Sequence, residues 1–208
     1  WVTSIIQQAE ASQKRINSFL KSKPSVCNYG KILNFENGDI NFKNVSFKYP
    51  ETNLYALKNI NFSISSGNTL GIIGKTGSGK STILELITRS YDVTSGEIYL
   101  DDKILSSYDQ QSLKSFISYV PQNPFLFSDT IIENIKFGNY TSSDDEVVKV
   151  AKDSSIHSDI SRFKDQYETL LGERGVNLSG GQIQRITIAR ALLKRSKILL
   201  LDDCLSSV

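Results

Sequence analysis

The nonapeptide GKTGSGKST, at residues 74–82, is the most informative stretch of this chain. It follows the apolar run LGII at 70–73 and precedes a helical pattern at 82–88. The apolar run does not alternate with polar residues, which is typical of a central parallel strand buried on both faces. The sequence therefore predicts a strand, a glycine-rich loop and a helix in that order.

The loop fits the phosphate-binding template G-x-x-x-x-G-K-[ST] at Gly74, Gly79, Lys80 and Ser81. Gly77 and Gly79 allow positive φ angles, so that backbone N–H groups and the following helix N-terminus can face an anion. Lys80 is expected to reach the β- and γ-phosphates, and the Ser81 hydroxyl to contact Mg²⁺. The alternative is a solvated Gly/Ser turn, which the flanking pattern disfavours. The other residues assigned to this phosphate site are Thr76, Ser78 and Thr82.

The composition limits which classes of protein this chain can belong to. The 208 residues carry 24 Lys and Arg against 22 Asp and Glu, and a net charge of +2 gives no reason to expect nucleic acid as a partner. Cys27 and Cys204 are too few for a disulfide framework and suit a reducing compartment. No run of 18 apolar residues is present. The chain begins at Trp1 and contains no Met, from which we expect a piece of a longer protein.

Residues 1–21 carry apolar side chains at three- and four-residue spacing, which predicts an amphipathic helix that ends before Pro24. The pattern fits either a core-packing helix or the continuation of an upstream segment. Runs of alternating apolar and polar residues at 39–49 and 57–64 predict antiparallel strands with one solvent-exposed face. The alternation is interrupted at Lys43 and Asn44, which indicates a bulge or turn.

The second half of the chain is mainly helical. We predict helices at 130–136, with Asp129 as N-cap, and at 143–153, which begins with a capping box. A third helix is predicted at 181–195. The apolar strand 198–201 ends at Asp202, which is expected to lie beside the 70–73 strand and to hold Mg²⁺.

A second candidate anion site precedes the third of these helices. Residues 178–182 read LSGGQ, so Ser179, Gly180 and Gly181 offer N–H groups and a hydroxyl at a positive helix end. Together with GKTGSGKST, the Gln122 of YVPQ and ILLLD, this set resembles the nucleotide-binding domain of ATP-binding cassette (ABC) transporters over residues 39–208.

The resemblance implies an α/β fold: a P-loop NTPase, RecA-like core with a mixed or parallel sheet, an antiparallel β subdomain and a helical insertion. We expect an amphipathic helix and linker at 1–33 that continues from a transmembrane domain of the same polypeptide. The nucleotide-binding domain would occupy 34–208, with its helical subdomain at about 123–180. We expect this domain to be C-terminally incomplete, because it stops soon after Asp202.

The resemblance also implies roles for individual residues. Tyr49 would stack on the adenine of ATP, which agrees with the ability of an aromatic face to stack on any base. Gln122 would sense the γ-phosphate through Mg²⁺ or through the attacking water. In a head-to-tail dimer with a second ABC cassette, the LSGGQ segment would cover the partner's ATP. Its contacting residues would be Ser179, Gly180, Gly181 and Gln182.

The chain departs from the family pattern at one position of the site. The family has a glutamate there that polarises the attacking water, whereas this chain has Asp203. Aspartate withdraws the carboxylate by roughly 1.5 Å, whereas a general base must lie within about 2.6–3.2 Å of its water. The segment resembles the degenerate subunit of heterodimeric bacterial exporters, although a homodimer is the alternative. Leu170 also replaces a glutamate that often faces the membrane domain in related exporters.

Three functions compete at this stage. The first is the ATP-hydrolysing cassette of an exporter, at the cytoplasmic face of a cell membrane. The second is a soluble ABC ATPase acting on DNA or ribosomes, which the near-neutral charge and the absence of a long heptad pattern disfavour. The third is a regulatory nucleotide-binding module without useful turnover, which Asp203 favours.

Overall fold

A computed structural model describes residues 1–21, 26, 28–172 and 178–204. Cys27, the 173–177 part of the segment before LSGGQ and residues 205–208 lie outside the described residues. The helices are α1 (Val2–Lys21), α2 (Lys80–Ile87), α3 (Gln110–Ser115), α4 (Ile131–Lys136), α5 (Asp144–Asp153), α6 (His157–Ile160) and α7 (Gly180–Leu193). The strands are β1 (Ile40–Lys48), β2 (Tyr55–Ile64), β3 (Ser95–Leu100), β4 (Lys103–Ile104), β5 (Ile117–Val120) and β6 (Ile198–Leu201).

The antiparallel subdomain is one sheet with the strand order β2-β1-β3-β4. The register of β1 shifts between Phe42 and Val45, where Asn44 has a φ of 51°, so the predicted irregularity is a bulge. Phe42 and Phe47 of β1 are fully buried and pack with α2, α3 and both strands of the second sheet in one core cluster. The sheet thereby supports the glycine-rich loop and its helix.

The second sheet consists of β5 and β6, which pair in parallel. Two predictions are wrong: that residues 70–73 form a strand, and that β6 lies beside it. Residues 70–73 form no strand, and Leu70 and Ile73 are 44% and 98% exposed instead of buried. A strand needs a partner for its backbone groups, and within the described part of the chain no strand pairs with this segment. Leu199 and Leu201 of β6 are also exposed.

The helical subdomain packs α4, α5 and α7 around its own apolar cluster. The N-cap of α4 is Thr130, whose hydroxyl accepts from Glu133 N–H, and not Asp129 as predicted. Asp129 lies one residue too early, and its carboxylate accepts from Thr130 N–H instead. The capping box of Ser143 and Glu146 at the start of α5 is confirmed.

The N-terminal helix α1 forms as predicted, but none of its residues, all of which the structure describes, is buried. Packing of α1 into the core of this chain is therefore excluded. Among the described residues, no helix has both the length and the apolar character needed to cross a bilayer.

Candidate functional site: a phosphate loop and two adjacent carboxylates

The glycine-rich loop leads directly into α2. Gly79 is the N-cap of α2 with a φ of 90°, and Gly77 has a φ of 79°, a left-handed conformation that glycine adopts without strain. A Cβ atom on Gly79 would lie 2.7 Å from the Ala56 carbonyl oxygen, so the loop also packs closely on β2. Glycine at 79 is therefore required both by its backbone angle and by the space available.

Lys80 folds back over the loop. Its Nζ donates to the carbonyl oxygens of Gly74, at 2.9 Å, and of Lys75, at 3.0 Å. Ser78 N–H donates to the Lys75 carbonyl at 3.1 Å, which closes the turn that also contains Thr76. The ammonium group thus lies above the loop, where it can attract an anion bound to the loop N–H groups.

Asp202 joins the loop to the end of β6. The Ser81 hydroxyl donates to Asp202 Oδ1 at 3.0 Å, and the Tyr119 hydroxyl donates to Asp202 Oδ2 at 3.1 Å. Asp202 is buried, and its N–H donates to the Val120 carbonyl at 3.0 Å, which continues the β5–β6 ladder. The sequence prediction that brings Ser81 and Asp202 together is consistent with this geometry.

These two oxygen donors fit Mg²⁺, which is usually bound by one or two protein oxygens and otherwise by water and phosphate. Over the described residues, no cluster of three or more His, Cys, Asp or Glu could hold a metal ion. A site completed by nucleotide phosphates and water would fit the two oxygen donors of Ser81 and Asp202.

Asp203 and Gln122 lie together beside Asp202. Gln122 Nε2 donates to Asp203 Oδ2 at 3.1 Å. Asp203 has a φ of 48°, in the left-handed region that Asp enters more readily than most residues. The buried Gln184 of α7 donates from Nε2 to the Asp203 carbonyl oxygen at 3.3 Å. The helix that follows LSGGQ is therefore bonded to the loop that carries Asp203.

Tyr49 lies beside the loop helix. Its hydroxyl lies 2.9 Å from the Thr82 hydroxyl and donates to Glu85 Oε2 at 3.0 Å. The ring makes T-shaped contacts with Phe47 and Tyr91. Burial raises the pKa of Tyr49, and Glu85 adds to this increase. Tyr49 thus borders the loop as expected, and its stacking on adenine stays a prediction.

The LSGGQ segment forms the start of α7. Ser179 Oγ accepts from Gln182 N–H at 3.3 Å, and Ser179 N–H donates to Gln182 Oε1 at 3.0 Å, which is a capping box. A Cβ on Gly180 would meet no atom within 4 Å, so the helix start faces open space. Among the hydrogen bonds of the described residues, none joins 179–182 to the phosphate loop. Gly181 lies in the first turn of the same helix.

Three residues of this region were not identified from the sequence: Tyr119, Glu85 and Gln184. Tyr119 and Gln184 stand within or beside the motifs YVPQ and LSGGQ, and Glu85 lies three residues after Thr82 on α2. Spacing from known motif residues is the only signal that could have found them, because their partners are distant in the chain.

The loop, the paired serine and aspartate and the α/β architecture define a P-loop protein of the nucleotide-binding class. The family described as ABC transporter matches residues 57–206, and the chain belongs to this family. The resemblance to this family, which rested on GKTGSGKST, the Gln122 of YVPQ, LSGGQ and ILLLD, is therefore confirmed.

Named relatives are consistent with this assignment. The chain is 46% identical over 204 residues to "Uncharacterized ABC transporter ATP-binding protein YfiB" of Bacillus subtilis (strain 168), covering 98% of this chain and 36% of that protein. It is 44% identical over 208 residues to "Multidrug resistance-like ATP-binding protein MdlA" of Escherichia coli (strain K12), covering 100% of this chain and 35% of that protein.

A solved structure has the same fold. The structure titled "Structure of a bacterial Atm1-family ABC exporter with ATP bound" superposes with a TM-score of 0.88 at 34% identity, covering 98% of this chain and 36% of that one. The chain thus spans about a third of the length of these relatives.

Proposed function

We propose that this chain is the ATP-binding and ATP-hydrolysing cassette of a membrane exporter. The observation that carries the proposal is the 3.0 Å hydrogen bond between Ser81 Oγ and Asp202 Oδ1, which unites the phosphate loop with the acidic end of β6. A Mg²⁺–nucleoside triphosphate requires three groups close together: backbone N–H groups that bind phosphate, a lysine, and two hard oxygen donors for the ion.

In this proposal, the loop N–H groups and Lys80 bind the β- and γ-phosphates. Ser81 and Asp202 would hold Mg²⁺, with Gln122 as a further group near the ion. Bound Mg²⁺ would neutralise negative charge on the phosphates. Tyr49 would orient the adenine from its position beside Thr82. In this proposal, the site therefore first binds and orients ATP.

The hydrolytic strength of the site depends on Asp203. We propose that Asp203 is a weak base, because its side chain is short and one of its oxygens already accepts from Gln122. The Ser179 cap at the exposed start of α7 would contact the partner's ATP in a head-to-tail dimer. Two unequal cassettes would then form one weak and one productive site, as in a heterodimeric exporter.

A regulatory module without turnover is the second candidate, and the Gln122–Asp203 bond favours it. A DNA- or ribosome-directed ATPase has no such observation in its favour, and the relatives quoted above are named as transporter or multidrug-resistance-like proteins.

An aromatic cleft is our candidate for the contact with the transmembrane domain. Phe127, Phe137 and Tyr140 line a cleft of about 250 Å³ with Asp129 and Glu133 at its edge. The three aromatic side chains are exposed, so the cleft offers an apolar surface to a short helix.

Arg190 of α7 contacts two of the aromatic rings that line this cleft. Its guanidinium lies 5.5 Å from the ring centroids of Phe127 and Phe137 and donates to the Phe125 carbonyl at 3.0 Å. Arg190 and the LSGGQ residues therefore lie on one helix, through which a contact at the cleft would reach the nucleotide site. In the whole protein we expect this surface to face the cytoplasmic side of the membrane.

The test of nucleotide binding is Lys80→Ala in the complete protein, with Lys75→Ala as a control that removes the same charge from the same loop. We expect Lys80→Ala to weaken binding of a fluorescent ATP analogue at least 100-fold, because a charge-assisted phosphate contact is lost. Lys75→Ala should change affinity by less than about threefold, since residue 75 occupies a variable position of the template. Equal affinity of the Lys80 variant and the unmodified protein would overturn the proposed function.

A further inference from the structure

The carboxylate of Asp202 is held by two hydroxyl groups, one on each oxygen. Ser81 belongs to the template and is expected, whereas Tyr119 has no role in the sequence prediction. The Tyr119 hydroxyl donates to Oδ2 at 3.1 Å while Ser81 donates to Oδ1 at 3.0 Å. Both oxygens of the Asp202 carboxylate are therefore held by hydrogen bonds.

The reach of Tyr119 follows from the parallel pairing of β5 and β6. Tyr119 is opposite Leu200, and Val120 is opposite Leu201, so the phenol extends along the sheet toward the residue after the strand. The hydrogen bond from Asp202 N–H to the Val120 carbonyl holds Asp202 beside the end of β5, so that its carboxylate stays within reach of the Tyr119 hydroxyl. A phenylalanine would fill the same space but leave Oδ2 without this donor.

Tyr119 itself is 37% exposed, so its side chain borders the site from the solvent side.

We propose that Tyr119 is a positioning residue for the metal-binding carboxylate: its bond to Oδ2 orients Asp202 so that Oδ1 and Ser81 Oγ face one cation together. This inference rests on the proposed function. Mg²⁺ demands near-ideal octahedral geometry, so a carboxylate that rotates freely binds it less well. Loss of such an outer hydrogen bond typically costs about 10–100-fold in metal affinity or activity.

The test is Tyr119→Phe in the complete protein. Tyr99→Phe is the matched control, because Tyr99 also donates from its hydroxyl to a carboxylate, that of Glu97, but on β3 of the antiparallel sheet. Two quantities are measured: the affinity for a fluorescent ATP analogue in EDTA, and the Mn²⁺ concentration that half-saturates the nucleotide-loaded protein, followed by electron paramagnetic resonance.

We expect Tyr119→Phe to raise the half-saturating Mn²⁺ concentration about 10–100-fold. Nucleotide affinity in EDTA should change by less than about twofold, because the loop and Lys80 are untouched. Tyr99→Phe should change neither quantity. This combination of results supports the inference.

Two outcomes would overturn it. Unchanged Mn²⁺ dependence in Tyr119→Phe would show that the hydroxyl does not position Asp202 for a metal. An equal loss of affinity with and without metal would show that Tyr119 supports the fold and not the carboxylate. Failure of the proposed function is a separate result, since the unmodified protein would then bind no nucleotide or Lys80→Ala would have no effect.

Discussion

Asp203 shows how one side chain and its backbone fit together. The residue adopts a left-handed conformation, with φ of 48°, that aspartate enters several-fold more readily than most residues. Its Oδ2 accepts from Gln122, and its carbonyl accepts from Gln184. The short acid is thus bonded within its own chain, which reduces its freedom to approach a water molecule as a base.

This leads to a prediction about the two sites of the proposed dimer. Asp203→Ala should change ATPase activity by less than about threefold, because its base role is already weak. Ser179→Ala or Gly180→Asp should nearly abolish activity, since these residues would complete the productive site of the partner. Loss of a well-placed base or of a key contact typically costs about 10²–10⁴-fold.

The measurement is steady-state ATP hydrolysis by the complete protein with its partner cassette, with Asp102→Ala as an unrelated acidic control. If Asp203→Ala were as damaging as the LSGGQ changes, Asp203 would be a working base, and the weak-site proposal would be wrong.

At the scale of secondary structure, several features set by neighbouring residues were predicted correctly, although the N-cap of α4 was not, and the strand at 70–73 was predicted wrongly. The helix after the phosphate loop, the capping box at Ser143 and the bulge at Asn44 depend on nearby residues, and each forms as expected. The strand predicted at 70–73 depends on a partner that the described residues do not supply. The contacts of Tyr119 and Gln184 with Asp202 and Asp203 are missing from the sequence prediction for the same reason.

One loop is held by a single carboxylate. Asp101, just after β3, accepts hydrogen bonds from four successive backbone N–H groups at 36–39, at 2.7–2.9 Å. Burial raises the pKa of Asp101, but these four donors outweigh it, so the pKa lies below its ordinary value. The carboxylate thereby anchors the segment that leads into β1.

We predict that Asp101→Asn increases hydrogen exchange at the amides of 36–39 about 10-fold, because a neutral amide oxygen replaces a charged acceptor of four bonds. A folded-state pKa below the unfolded value of about 3.9 means that the stabilisation is present above that value and is lost as pH falls through the folded pKa. The protection conferred by Asp101 should accordingly disappear under acid conditions.

Hydrogen exchange with mass spectrometry on the complete protein measures this effect, and Asp102→Asn is the matched control on the neighbouring acid. Protection at 36–39 that is the same in both variants would contradict the assigned role of Asp101.

For the molecule as a whole, α7 links two surfaces. Its first turn carries the LSGGQ residues, while Arg190 near its end holds the aromatic rings of the cleft. Between them, Gln184 contacts the loop that carries Asp203. If the cleft receives a segment of the transmembrane domain, one rigid helix connects that segment to both nucleotide sites.

We therefore predict that Phe137→Ala uncouples transport from ATP binding. Nucleotide affinity should stay within about twofold, because Phe137 has no contact with the phosphate loop. Substrate-stimulated ATPase activity should fall at least fivefold, since the apolar cleft loses one wall. Both are measured on the complete protein in lipid nanodiscs.

Tyr55→Ala serves as the control for Phe137→Ala, because Tyr55 is an exposed aromatic residue of the antiparallel sheet. Full stimulation in the Phe137 variant would show that the cleft is not the contact with the membrane domain.

The short acid at position 203 also has a genetic consequence. Codons for aspartate and glutamate differ only at the third base, so a single nucleotide change converts Asp203 to the longer acid.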